Sequence, residues 1–232
     1  LESQKHACGY DQKTWRELGE LGLCSLLIDE VYGGTAMGME AMSALCSLFG
    51  EHLLASPFFA HAVLACDVLN QSSAVRLKQQ HLNAWAEGTS IATVALNGSG
   101  HWDGARLSGS WSYVPHGGQA DQIIAQVHDR EGATALLLIP QSDCTWSAQH
   151  SLDQSRQQAQ LTATDLHIDD AALIARGDAA ESLITFTHHR SIVALAHEQI
   201  GVAQACTLAS VDYAKTRKQF GEYIGKFQAI KH

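Results

Sequence analysis

Only three prolines interrupt the 232 residues, and charged side chains make up just 17% of them. That scarcity excludes proline-rich spacers and the highly charged composition of disordered chains, while 46% hydrophobic content predicts a packed interior. No two cysteines are spaced C-x-x-C: Cys8, Cys24, Cys46, Cys66, Cys144 and Cys206 stand singly. They read as small buried hydrophobes in a reducing, cytoplasmic setting, not as a disulfide framework. Basic residues are scarce as well, 15 against 24 acidic ones, for a formal charge of −9. A field of that sign repels nucleic acid and anionic membrane surfaces. Apolar runs such as 135–139 end after a few residues, short of the roughly 20 that span a bilayer, so no membrane span is expected. Residues 1–5 lack the basic and apolar regions of a secretory signal, and also an initiator Met.

What is present falls into three stretches. Residues 1–88 read as a helical unit. Trp15, Leu18 and Leu21 recur at helical intervals before Gly33-Gly34, and Met39, Met42, Leu45, Cys46, Phe49 and Leu53 form a second stripe. Ser56-Pro57 then announces a third helix. Residues 89–178 change character: segments 90–96, 106–114, 122–127, 134–139 and 160–168 are short, β-branched or alternating, and punctuated by Gly, Asp and Ser. With no helices between them they predict an antiparallel sandwich or barrel. Residues 179–232 return to helix, with one long segment over 182–217 that contains a single glycine, Gly201. Its many alanines permit close approach of a neighbouring helix, as in a bundle, yet only 15 residues follow Arg217. The predicted architecture is therefore α+β: a helical unit, a β unit and the start of a helical bundle, incomplete at His232.

Five of the 15 basic residues, Lys215, Arg217, Lys218, Lys226 and Lys231, crowd into the last 18 positions. Such a patch suits an anion held by side-chain forks such as Arg217, or simple cationic capping of a helix end. The order Tyr213-x3-Arg217-x-Gln219-Phe220-Gly221-x2-Ile224-x2-Phe227-Gln228-Ala229-Ile230-Lys231-His232 resembles the signature of the acyl-CoA dehydrogenase flavoprotein family. Upstream, Trp15-x2-Leu18-Gly19-x2-Gly22-Leu23 with Gly33-Gly34 resembles that family's N-terminal helical segment, and helix, β, helix is its domain order.

The resemblance implies FAD held between the β unit and the C-terminal helices, with an acyl-CoA thioester against the flavin and electrons leaving to an electron-transfer flavoprotein. Carried over by position, Arg217 would contact the FAD pyrophosphate of a neighbouring subunit. Gln219 and Phe220 would flank the ADP part, and Phe227 with Gln228 would complete that wall. Leu96 and Asn97 resemble the end of the first flavin-contacting strand, and Tyr113, Val114 and Pro115 the second. Arg190 matches an arginine at the acyl-CoA entrance, with an ordinary helix-surface ion pair as its competing role. The family also implies lipid metabolism and a homo- or hetero-oligomer, usually a dimer of dimers.

Two departures shape the expected chemistry. Where the family has an acidic residue, a proline and a Gly-Ser-Asp turn, this chain has Asn97-Gly98-Ser99-Gly100-His101, for which a simple turn suffices. The family's catalytic glutamate is expected beyond His232. One branch of the family places its carboxylate before an arginine near the start of the long helix, and here that dipeptide is His189-Arg190. His189 is the candidate base within the chain, against a structural or surface histidine. Glu198 reads as a solvated or structural carboxylate. His188, His189 and His197 lack companions for a ligand shell, so no metal is expected. Two functions stay open: an acyl-CoA dehydrogenase, or a non-catalytic subunit that lends FAD contacts to a catalytic partner.

Overall fold

The computed structural model describes residues 9–231. Cys8 and His232 lie outside the described residues.

Helix α1 (Gln12–Glu20) starts at Asp11, whose carboxylate accepts from the backbone N–H of Lys13 and Thr14, and it buries Trp15 and Leu18. Helix α2 spans Gly38–Glu51. A wide π-helical turn (Phe59–Ala65) runs directly into α3 (Cys66–Gln71), and α4 (Val75–Ala86) closes the helical part. The hub of this part is His61, which is fully buried. Its Nδ1 accepts from the Ala92 N–H at 3.0 Å, so Nε2 carries the proton it donates to the Trp85 carbonyl at 2.9 Å. One imidazole thus joins the end of α4 to the first strand.

The β part has eight strands: β1 (Ala92–Ala95), β2 (Gly98–Trp102), β3 (Arg106–Pro115), β4 (Gln122–His128), β5 (Thr134–Pro140), β6 (Thr145–Gln149), β7 (Gln158–His167) and β8 (Leu173–Arg176). Their order is β6-β7-β3-β2-β4-β5-β8, with β1 also on β4. Most pairings are antiparallel as expected, but β1 and β2 both run parallel to β4. They are two lengths of one interrupted strand, broken at Leu96-Asn97. Strands β4 and β5 are buried on both faces. Ile124, Leu136 and Leu138 face the helices, while Ile123, Ala125, Leu137 and Ile139 join a second core with Leu107, Trp111 and Leu161.

Residues 98–101 differ from the expected turn, because they form strand β2, paired with β3. The reason is Trp111. Its ring lies where a Cβ on Gly100 would come within 2.6 Å, and its Nε1 donates to the Gln126 carbonyl at 2.9 Å. The glycines give room for a tryptophan instead of bending the chain.

Helix α5 (Asp178–Thr216) runs 39 residues and packs on α2. By length and composition it is apolar enough to cross a bilayer, a feature the short apolar runs conceal because His188, His189, Arg190, His197 and Glu198 interrupt them. Here it lies along the body of the protein, and Arg190 and Glu198 are both committed to ion pairs with other elements. The chain ends in a small hairpin, β9 (Lys218–Gln219) and β10 (Glu222–Tyr223), and helix α6 (Gln228–Lys231). The five described cysteines are all free thiols. Burial pushes the Cys24 and Cys46 thiols up to about 12, which keeps both inert.

Candidate functional site

The residues of interest form two groups. The first lies on one rim of the sheet. The Asn97 carbonyl accepts from the Ser112 N–H at 2.8 Å, and Thr93 Oγ1 donates to the Pro115 carbonyl at 2.5 Å. These bonds bring Leu96, Asn97, Tyr113, Val114 and Pro115 together. The register of β3 against β7 slips between Trp111 and Val114, and within the slip Tyr113 adopts a positive φ of 55°. A tyrosine in the left-handed region is strained, and the bulge turns its ring outward, 59% exposed. Its N–H donates to Gln149 Oε1, which holds the bulge from β6. Val114 is buried in the sheet core, so only its backbone faces the rim.

The second group is the terminal hairpin. Phe220 and Gly221 occupy its two-residue turn with φ of 53° and 82°, the mirror-image turn that matches strand twist. Gly221 meets that demand without cost, while Phe220 is left 95% exposed at the tip. Phe227 packs edge-to-face against it at 6.5 Å. Arg217 ends α5 exposed, and among the described residues no carboxylate pairs with it. With the Gln219 amide turned to satisfy its donors, its oxygen accepts from Arg217 Nε at 3.2 Å and Nη2 at 2.8 Å. Gln219 aims the fork without neutralising it. Gln228 is exposed beside this tip.

Within one chain the two groups stay apart. Helix α5 meets α2 at Glu198 and Gly201, and its last residues run some 18 positions further, about 27 Å along the axis. A ligand touching both groups would take one from each of two chains, or reach along the helix.

Arg190 turns inward. Its Nε stands 3.1 Å from Asp67 Oδ2 of α3, without the alignment of a hydrogen bond, and its guanidinium stacks on Phe186 at 5.0 Å. Asp67 is fully buried, and desolvation pushes its carboxyl up to about 6 although Arg190 opposes the rise. His189 is exposed on the next position, its ring 6.2 Å from that of His188, and His197 Nδ1 lies 3.3 Å from Ser47 Oγ. Among the described residues no cluster of His, Cys, Asp and Glu has the makings of a metal site.

Sequence reasoning missed His116. It follows Pro115 with a positive φ of 52°, is 3% exposed, and neither ring nitrogen has a hydrogen-bond partner. Burial, then the charge of Arg156, hold its imidazole down at about 4, so it is neutral. The signal was the residue type alone, since Arg156 and Glu198, which share its surroundings, are 40 and 82 positions away.

Residues 2–89 match the family described as acyl-CoA dehydrogenase, N-terminal domain, and residues 182–232 that described as acyl-CoA dehydrogenase, C-terminal domain. Among curated proteins, the chain is 31% identical to acyl-CoA dehydrogenase IpdE2 of Mycolicibacterium smegmatis over 229 residues, covering 97% of this chain and 60% of the relative. It is 28% identical to acyl-CoA dehydrogenase FadE27 of Mycobacterium tuberculosis, covering 95% of this chain and 61% of the relative. The fold is similar to a chain of the ChsE4-ChsE5 complex from M. tuberculosis, with a TM-score of 0.89 at 25% identity, covering 99% of this chain and 65% of that one. The chain thus spans about three-fifths of the length of the curated relatives it matches.

Proposed function

Since the chain belongs to the acyl-CoA dehydrogenase family, we propose that it takes part in FAD-dependent α,β-dehydrogenation of an acyl-CoA thioester, with electrons passed on to an electron-transfer flavoprotein. The observation that carries this reading is the hairpin tip. A cation without a carboxylate partner stands beside an exposed aromatic pair, and the donor set fits a dinucleotide: a guanidinium fork for pyrophosphate, and phenyl faces for the adenosine portion.

FAD, when bound, supplies the hydride acceptor for the β carbon of the thioester. The chain's own part is to hold and orient. Arg217, preset by Gln219, binds the pyrophosphate; Phe220 and Phe227, with Gln219 and Gln228, wall the ADP portion; and the exposed Tyr113, with Leu96, Asn97 and the backbone of Val114 and Pro115, forms the platform at the sheet rim. Within the chain, His189, exposed on α5, is the candidate for the general base that takes the α proton. Arg190, engaged with Asp67, would have to leave that pair to meet an acyl-CoA.

Arg217→Ala should lower FAD affinity by about tenfold or more, the loss of a charge-assisted fork. Flavin absorbance per protein at limiting FAD reads this directly, and unchanged occupancy would take Arg217 out of the site.

A second reading is favoured by His189-Arg190 and by the match to a complex of two named proteins. In it the chain is a non-catalytic subunit that lends its FAD contacts to a partner. Anaerobic addition of acyl-CoAs decides. Bleaching of flavin by the assembled protein when this chain alone supplies the subunits supports the enzyme, and bleaching only with a second, carboxylate-bearing subunit supports the alternative.

A further inference from the structure

Directly behind Pro115 lies an enclosed space between the sheet rim, the π-helical turn and α5. Its walls are mainly apolar, with Phe49, Phe58 and Phe59 on one side and Pro115 on the other. Its free volume is about 30 Å³. That is room for one or two waters and about a fifth of the 150 Å³ that admits benzene.

The space is small because two long side chains enter it from opposite sides. Arg156, from the connection between β6 and β7, and Glu198, from α5, meet with Nη2 to Oε2 at 2.5 Å. The Arg156 guanidinium also lies flat over the Phe59 ring, 4.4 Å from its centroid. Both side chains are about three-quarters buried, with 23% and 27% of their surface exposed. The other polar groups on the wall are Cys46, Ser56, His116 and Ser155; burial keeps the Cys46 thiol and the His116 imidazole neutral at pH 7 and the serines carry no charge, so no further full charge on the wall competes for either member of the pair. Removing one partner alone would strand a charge against phenyl rings, which holds the pair in place.

We propose that Arg156 and Glu198 are specificity-determining residues: their ion pair plugs the apolar space behind Pro115 and excludes an acyl tail from it. This rests on the reading of Pro115 as a flavin-facing residue. The consequence is a constraint on substrate class. The bulky or extended part of an acyl group is not housed in this space and must lie elsewhere in the assembly.

The test uses the whole chain and decanoate as the probe, followed by calorimetric titration. Wild-type protein is expected to take up no decanoate at this space. The double variant Arg156→Ala with Glu198→Ala removes both charges together and should bind it roughly tenfold more tightly or better, since several methylenes then leave water. Arg156→Met with Glu198→Gln, which refills the volume without charge, should stay closed. Should the double alanine variant not fold, Arg156→Ser with Glu198→Ser, which also removes both charges together, serves as the open arm, with a smaller gain of the same sign. Decanoate binding by the wild type as tight as by the open variant would overturn the proposal, as would a folded open variant that binds none. No flavin is read in this assay, so loss of the FAD reading and loss of the plug would be told apart.

Discussion

Gly201→Ala is expected to lower the stability of the fold by about 3 kcal/mol or more, at the upper end of what overpacking costs, and the unfolding midpoint by roughly 6–12 °C. A Cβ at this position would sit 1.9 Å from the Ser47 carbonyl oxygen and 2.9 Å from the Glu51 N–H nitrogen, both on α2. Both obstacles are backbone, so no side chain can rotate away, and α2 and α5 would have to separate along their whole contact. Gly50 mirrors the arrangement, since its added Cβ would meet the Glu198 carbonyl oxygen at 1.9 Å. Two glycines thus let two helical backbones touch, which is the closest form of helix packing. The opposing effect is helix propensity, which favours alanine over glycine by about 1 kcal/mol. The clash wins because it acts on the largest helix contact in the molecule. Calorimetry of Gly201→Ala against wild type checks this, and a midpoint unchanged or raised would mean the helices are not held at glycine distance.

Acid should weaken the fold before ordinary carboxylates begin to titrate. His61 and His116 are both held down at about 4 from an ordinary 6.5, in each case by burial first. In the unfolded chain both take protons near pH 6.5, whereas in the folded chain they resist until about pH 4. Their contribution is therefore complete above pH 6.5 and is lost as pH falls toward 4, about 3 kcal/mol for each group. At His61 the reason is geometric as well: Nδ1 accepts from Ala92, and a proton there would face an N–H donor. Asp67 works in the opposite direction. Its carboxyl is raised to about 6, so it costs stability at neutral pH, and that cost is relieved as it protonates below pH 6, by an amount of similar size. The net loss between pH 7.5 and 4 is then about 3 kcal/mol, read from urea midpoints. His61→Leu should destabilise by about 2–4 kcal/mol at pH 7.5, because it orphans the Ala92 N–H and the Trp85 carbonyl together, and should flatten the acid loss. A midpoint independent of pH across this range would refute the account.

Much of this was legible beforehand, and for identifiable reasons. Helical periodicity in α1 and α2, the start signal at Ser56-Pro57 and the unbroken run of α5 depend on local spacing, which a sequence states directly. The alanine-rich stretch around Gly201 announced a close neighbour, although only the fold named α2. Strands β6 and β8 went unread, since Thr145–Gln149 is largely exposed and Leu173–Arg176 is four residues long. Strand β2 was read as a turn because its glycines serve a tryptophan eleven or more positions away. The hairpin tip was visible as residues in order, yet whether Arg217 was free or spent on a carboxylate depended on what surrounded it.

Residue order by itself determined the three-part organisation, the family and the cationic, aromatic ending, because each of these is written in composition and short-range spacing. Tertiary structure alone decided that Arg190 is turned to Asp67, that Glu198 meets Arg156 over Phe59, and that His61 and His116 are buried and neutral. Those outcomes depend on groups far apart in the chain arriving at one place from which water is excluded, and desolvation there, which no local pattern encodes, sets both their charge and their chemistry.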